Sequence, residues 1–287
     1  MRLVLSRKGF DSGSGGCPSP LMPDGTMVSL PIPLKAAPKT YNDIAWSGGS
    51  SMGDLIRDLA PQRIRPDFQA HLDPDLRREA LPRPRSWRPL FGQIGPAQSH
   101  LSKHGIGPDD LFLFFGLYRR VVQRGGRYEF ERGARASHVL FGWLQVDSVH
   151  HVDQRSHPLD WASDHPHFHM APNPRNVVYV SRRHLDLPGL KTAVPGAGVF
   201  RKHSQHLELT APDAKGSSDW RLPRWFEPRR RRPALSYHGR VDRWRRDGDH
   251  VRLQTVGRGQ EFVLDMTHYP ESAGWLADLF NKAHLAI

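Results

Sequence analysis

Two apolar runs limit what this chain can become. They are Leu111-Phe112-Leu113-Phe114-Phe115-Gly116-Leu117-Tyr118 and Val139-Leu140-Phe141-Gly142-Trp143-Leu144-Gln145-Val146. Short continuous apolar runs of this kind read as strands buried on both faces. The two are expected to pair as an antiparallel hairpin with a long, decorated turn. Residues 176–181 form a third strand. Shorter extended segments are expected at 27–33, 207–210, 250–255 and 261–264. The segment 27–33 is expected to pair with 3–5. Helical spacing marks 51–59, with Ser50 or Ser51 as N-cap. It also marks 97–105, closed by a glycine, and 271–286. The reading is α+β: a mixed, largely antiparallel sheet with several short helices and long loops, built as one domain over 1–287.

Composition bears on partners. Lys and Arg total 41 against 29 Asp and Glu, a net charge of +12. A basic surface attracts polyanions, so nucleotide or nucleic acid is the expected partner class. A compositional drift toward Arg, Pro and Gly would give the same surplus without any function. No run approaches the ~18 apolar residues of a membrane span, so no membrane partner is expected. The amino terminus lacks a signal-peptide core, and a lone cysteine forms no internal disulfide. A cytoplasmic protein is the expectation.

The densest chemistry lies near the start, in Arg7-Lys8-Gly9-Phe10-Asp11-Ser12-Gly13-Ser14-Gly15-Gly16-Cys17-Pro18. A Gly-rich turn can form an anion-binding nest from successive N–H groups. Arg7 and Lys8 would add positive charge. Ser12, Gly15 and Gly16 are therefore candidate phosphate contacts, and Asp11 a candidate acid, base or sugar-hydroxyl acceptor. A solvated turn after an edge strand is the plainer alternative. Cys17 carries no sign of thiolate activation beyond the two cations and is not expected to act as a nucleophile.

Three further clusters stand out. His71-x-Asp73-x-Asp75 and His167-Phe168-His169 would each put like-spaced ligands on one face of a strand. His165 joins if Pro166 keeps the chain extended. If the segments meet, His71, Asp73, His167 and His169 offer nitrogen and oxygen ligands for a divalent ion. Among 17 histidines, a chance H-x-H is equally expected. Residues 220–232 interleave Trp220, Arg221, Arg224, Trp225 and Arg230, the composition of a single-strand groove. Core tryptophans beside solvated arginines would look the same. There is no Walker A motif, hydrolase elbow or zinc-deaminase C-x-x-C.

The opening motif, with Asp24-Gly25 and Ser29-Leu30-Pro31-Ile32-Pro33, resembles the nucleotide modification associated domain 3 family. So do His71-Leu72-Asp73-Pro74-Asp75, Phe91-Gly92-Gln93, Gln98-Ser99-His100-Leu101 and Asp110-Leu111-Phe112-Leu113-Phe114-Phe115-Gly116. Further matches are Leu140-Phe141-Gly142-Trp143-Leu144-Gln145-Val146, Trp220-Arg221-Leu222-Pro223 and Gly257-Arg258-Gly259-Gln260-Glu261-Phe262. The resemblance implies an enzyme in a system that modifies nucleotides or nucleic-acid bases, with partner proteins of that system. It assigns no reaction, cofactor or catalytic residue.

On chemistry alone, the expected catalytic set is Lys8, Asp11, His71, Asp73 and His100. Gln93 and Gln98 would contact substrate beside Arg7, Ser12, Gly15 and Gly16. The cofactor is open, a divalent metal being one option. Two other readings stand beside the enzyme: a non-catalytic nucleic-acid-binding module, and a metal-dependent hydrolase or nuclease.

Overall fold

The computed structural model of the chain describes residues 1–47, 49–152, 159–229, 235–257 and 259–283. The two apolar runs lie in its longest strands, Leu111–Arg124 and Ser137–His151. They pair antiparallel, and a short strand, Arg127–Phe130, decorates the turn between them. Residues 111–116 are all buried. The sheet runs in the order Glu261–Asp265, Arg2–Arg7, Leu111–Arg124, Ser137–His151, Asn176–Ser181, Leu90–Ile94. Arg2–Arg7 is parallel to Leu111–Arg124, and the other pairings along this path are antiparallel. The class is α+β, as expected.

The first strand's partners differ from expectation. It pairs with Leu111–Arg124 and Glu261–Asp265. The segment after the Gly-rich loop keeps only a two-residue strand, Ile32–Pro33, which pairs with Ala70–His71. Two prolines remove backbone donors there, so a longer ladder has nothing to build on.

Register sorts the side chains by face. Val4 pairs with Phe112 and Val263, and Ser6 with Phe114 and Glu261. One face therefore carries Ser6, Phe112, Phe114 and Glu261. Phe91 joins it, packing on Phe112, Phe114 and Tyr179 at 5.0–5.9 Å. The other face carries Leu3, Leu5, Leu113, Phe115 and Phe262. A three-stranded sheet covers it (Asp219–Pro223, Trp244–Asp247 and His250–Gln254), and Trp220 meets Phe115 edge-on at 4.9 Å. Helix α3 (Glu271–Lys282) packs Phe280 against Trp143.

The sheet is strongly coiled. Gln93, near one end of the strand order, donates through Nε2 to Glu261 Oε1 at the other end, 2.6 Å away. Helix α2 (Gly95–Lys103) packs beside this junction, its Gln98 Oε1 accepting from the Tyr179 hydroxyl. Helix α1 (Met52–Leu59) begins at Ser51, in a capping box with Asp54. It belongs to a second core with Phe10, Tyr41, Ile44 and Val121.

Trp220 is wholly buried, and its indole N–H donates to His138 Nδ1 at 2.9 Å. It is a core residue with no face left for a nucleic-acid base. Trp220→Ala should cost ~3–5 kcal/mol, the usual range for a buried aromatic, in chemical denaturation. Accepting from Trp220 keeps His138 neutral, and burial, then the nearby Arg7 charge, pushes its pKa down to about 3. The unfolded chain takes up that proton below about 6.5. Stability from this group is present above pH ~6.5 and is lost as pH falls toward 3, by ~1.4 kcal/mol per unit. His138→Asn keeps an acceptor for Trp220. It should remove close to one proton of uptake from the pH 4–6 stability slope, read by urea unfolding.

Candidate functional site

Arg7 and Lys8 are neighbours at the end of an extended strand, so their side chains leave on opposite faces. Arg7 turns to the outer face, 5.9 Å from the Phe115 ring centre and 6.0 Å from that of Phe262. It donates to the carbonyls of Val256 and Gly257. Lys8 turns inward. Its Nζ lies 2.9 Å from Glu261 Oε1 and 4.5 Å from the Phe91 ring centre. The two cations therefore do not share one phosphate, contrary to the sequence reading. Gly116 permits the exit of the chain, since a Cβ there would lie 2.9 Å from the Lys8 carbonyl.

The Gly-rich turn does form a nest, and its own acid fills it. Asp11 Oδ1 accepts from the N–H groups of Gly13 (2.8 Å) and Ser14 (2.7 Å). The N–H of Gly16 donates to the Asp11 carbonyl, and that of Asp11 to Ser14. Donors expected to meet a phosphate are thus turned to Asp11. Gly15 has φ +83°, and a Cβ on it would strike the Phe10 ring. A Cβ on Gly16 would strike the Arg63 side chain. These glycines let the loop close over Phe10 as it enters the second core. Ser12 is exposed. Burial raises the Cys17 thiol to about 11, which fits an inert cysteine.

The polar cluster forms on the inner face. Lys8 and Glu261 side chains are only 9 % and 1 % exposed. Glu261 Oε1 also takes the Gln93 hydrogen bond, while Oε2 has no hydrogen-bond partner among the described residues. The Ser6 hydroxyl on the same face is buried and unpartnered. Beside this pair lie His71, Asp73, His165 and His167, all with buried side chains. The Lys8 charge reaches His71 and His167. Asp73 Oδ1 accepts from the Gly92 N–H at 2.7 Å and stands 3.3 Å from His165 Nε2. Asp73 Oδ2 stands 3.8 Å from His167 Nε2. Donor atoms of His71, Asp73 and His167 all lie within 4.8 Å of one another. Burial pushes the His71 and His165 imidazoles down to about 3 and that of His167 to about 4.

His167 comes from a turn of 3-10 helix, Pro166–His169, within the expected loop, and the extended chain that would pair His167 with His169 is not formed. Three residues per turn replace the two-residue alternation, so His169 does not follow His167. It binds the Ser163 carbonyl in an exposed position. His165 joins the cluster from the residue before the helix. Gly92 makes the approach possible, because a Cβ there would lie 2.2 Å from the His167 ring.

The remaining candidates stand outside the His71, Asp73 and His167 group, Gln98 beside the Gln93–Glu261 junction. Gln98 bonds Tyr179 and Ser102. His100 contacts Ser236 Oγ at 3.0 Å and stacks on Tyr237. Trp225 stacks on Phe226 and packs on Trp275. Arg221 pairs with Asp247 at 3.4 Å, and Arg224 is exposed. Arg230 lies outside the described residues. Glu261 and Asn176 were not candidates from sequence. Glu261 follows a glycine turn and looks like an ordinary strand start, and only its pairing with the first strand turns it inward.

A large cleft reaches this cluster. Its volume is about 1450 Å³, and its walls include Gly9, beside Lys8, and Asp73. Trp46, Trp87 and Phe141 supply aromatic surface, and Arg78, Lys191, Arg201 and Lys202 supply charge.

Breaking a buried ion pair by removing one partner typically costs ~3–5 kcal/mol, because the other charge stays buried. Lys8→Met should lose an amount in this range in denaturant unfolding. Lys8→Met with Glu261→Gln should regain most of it. Equal stability of the single and double variants would show that the pair is not electrostatically coupled.

The model of the nucleotide modification associated domain 3 family matches residues 2–265, a span that includes every residue of the cluster. No curated protein and no solved structure matches the chain. The match covers far more than half of the 287 residues, and the chain belongs to the nucleotide modification associated domain 3 family.

Proposed function

We propose that this protein is an enzyme that modifies a nucleotide or a base in nucleic acid, with its reaction centre at the buried cluster of Lys8, Glu261, Gln93, His71 and Asp73. One observation carries the reading: the walls of an aromatic, cation-bearing cleft include Asp73 of this cluster and Gly9, the chain neighbour of Lys8. Arg78, Lys191, Arg201 and Lys202 suit phosphates. Trp46, half-buried in the cleft wall, suits the flat face of a base. The cleft exceeds the ~300–1,000 Å³ of most small-molecule sites, which favours a nucleotide within a strand.

In the cluster, the Glu261 Oε2 atom without a hydrogen-bond partner among the described residues suits a proton-accepting or amino-group-orienting role. Lys8 beside it suits an anion developing in the reaction. A module that only binds would gain nothing from burying unsatisfied polar atoms, each of which costs free energy. The family's name agrees with this substrate class. Glu261 takes the role of reactive acid in place of Asp11, because the Asp11 carboxylate is held within its own turn.

The test separates holding from reacting. Lys191→Ala, Arg201→Ala and Lys202→Ala combined should weaken binding of a single-stranded oligonucleotide at least tenfold. The salt dependence should fall by about two units of slope, at ~0.7 per lost phosphate contact. Glu261→Gln should retain binding yet abolish any modified nucleoside seen by mass spectrometry in nucleic acid from producing cells. Wild-type protein that binds no nucleotide or nucleic acid, or an unmodified nucleoside profile, would sink the proposal.

A further inference from the structure

The amide of Asn176 decides how His167 is protonated. Asn176 Nδ2 donates to the His167 carbonyl at 2.9 Å, which places its Oδ1 against His167 Nδ1, 2.6 Å away. A carbonyl oxygen only accepts, so Nδ1 carries the proton. His167 Nε2 then presents a lone pair. It stands 3.8 Å from Asp73 Oδ2, and both side chains are under 5 % exposed. That gap is too long for a hydrogen bond even with a proton on Nε2. His71 Nε2 is also buried and without a partner. Electron-pair donors of His71, Asp73 and His167 thus converge within 4.8 Å of one another, and burying such donors costs free energy that a cation would offset.

We propose that His71, Asp73 and His167 bind one divalent transition-metal ion, with coordination positions left open toward the cleft. The proposal deepens the preceding reading of the same cleft. A cation between the donors supplies what each lacks. Two imidazoles and a carboxylate suit zinc, manganese or iron, and three protein ligands mark a site that keeps a position for water or substrate. Ligand bonds are about 2.0–2.2 Å long, so donors within 4.8 Å of one another need to draw in by an ångström or so.

The surroundings behave as supports for such ligands. Asn176 holds His167 from its other nitrogen, and the Gly92 N–H holds Asp73 Oδ1, leaving Oδ2 on the His167 side. This is how ligating side chains are usually oriented. Gly92 leaves room for the His167 ring. Asp73 is the ligand that lines the cleft, so the open positions face the space where substrate would lie. The set unites two clusters about 95 residues apart in the chain, and the 3-10 turn selects His167 over His169.

The experiment uses the full chain without a His tag, stripped by chelator and returned to chelator-free buffer. Zn²⁺ and Mn²⁺ are titrated separately by calorimetry, and melting temperature is recorded with and without each ion. At least one ion should bind at one equivalent and raise the melting temperature. His71→Leu removes an unpaired buried imidazole, so its metal-free melting temperature should match or exceed the wild type, while binding weakens at least tenfold. Asp73→Asn keeps an acceptor for Gly92 and gives a second reading of the same loss. His169→Gln should bind as the wild type does. Saturable binding of neither ion, or equal binding by wild type, His71→Leu and Asp73→Asn, overturns the proposal. Oligonucleotide binding through Lys191, Arg201 and Lys202 is unaffected by that outcome, so the two readings fail separately.

Discussion

The pairing of Lys8 with Glu261 is the interaction on which the arrangement turns. A lysine exposed by only 9 % needs a buried acceptor, and a glutamate exposed by 1 % needs a buried donor. Satisfying both requires the strand that begins at Glu261 to lie beside the first strand. Gln93 then completes the coordination of Glu261 Oε1 from the far end of the strand order. One carboxylate oxygen therefore ties both ends of a coiled sheet, with Phe91 roofing the ammonium. The partnership is a geometric lock more than a source of stability, since two buried ions cost nearly what their attraction returns.

Local pattern carried much of the fold. The runs around Phe112–Phe115 and Leu140–Leu144 are strands because no other element buries so short and continuous an apolar stretch. Ser51 caps α1 because its hydroxyl meets the Asp54 N–H while Asp54 returns the bond. What local pattern could not carry was face and partner. Arg7 and Lys8 look like one basic patch in sequence, and the pleat separates them. Asp11 looks like a free acid, and two N–H groups three residues on or nearer absorb it. Trp220 beside Arg221 looks like a stacking platform, yet strand alternation sends the tryptophan to the core and the arginine outward.

Most of the site was legible in the sequence, and the part that orients it was not. Lys8, His71, Asp73, His167 and Gln93 carried signals of their own, as polar residues in otherwise apolar or turn-rich contexts. Glu261 and Asn176 carried none. Each gains its role from a tertiary contact, Glu261 across 253 positions to Lys8 and Asn176 by gripping His167, nine positions away, at both ring and backbone. The helical turn at 166–169 shows a related limit. H-x-H puts two imidazoles together only on an extended chain, and proline at the first helical position favours the other conformation.

Burial and reactivity are linked here through unsatisfied atoms. A folded chain pairs nearly all of its buried polar groups, yet Ser6 Oγ, Glu261 Oε2, His71 Nε2 and both ring nitrogens of His165 are without hydrogen bonds. Other such atoms lie elsewhere in the fold, Ser204 Oγ and His250 Nδ1 among them, but these five gather in one region. Ser6 and Glu261 share the inner sheet face, and His71 and His165 flank Asp73 beside it. Each costs enough that a cluster is hard to sustain without return. Groups withheld from the protein's own hydrogen bonds are available to a ligand, and Asp73, beside His165, stands in the wall of a cleft. The same reasoning explains why the Gly-rich turn is the poorer candidate: its donors are already spent on Asp11, so an incoming phosphate would have to displace a carboxylate that the backbone holds by two bonds.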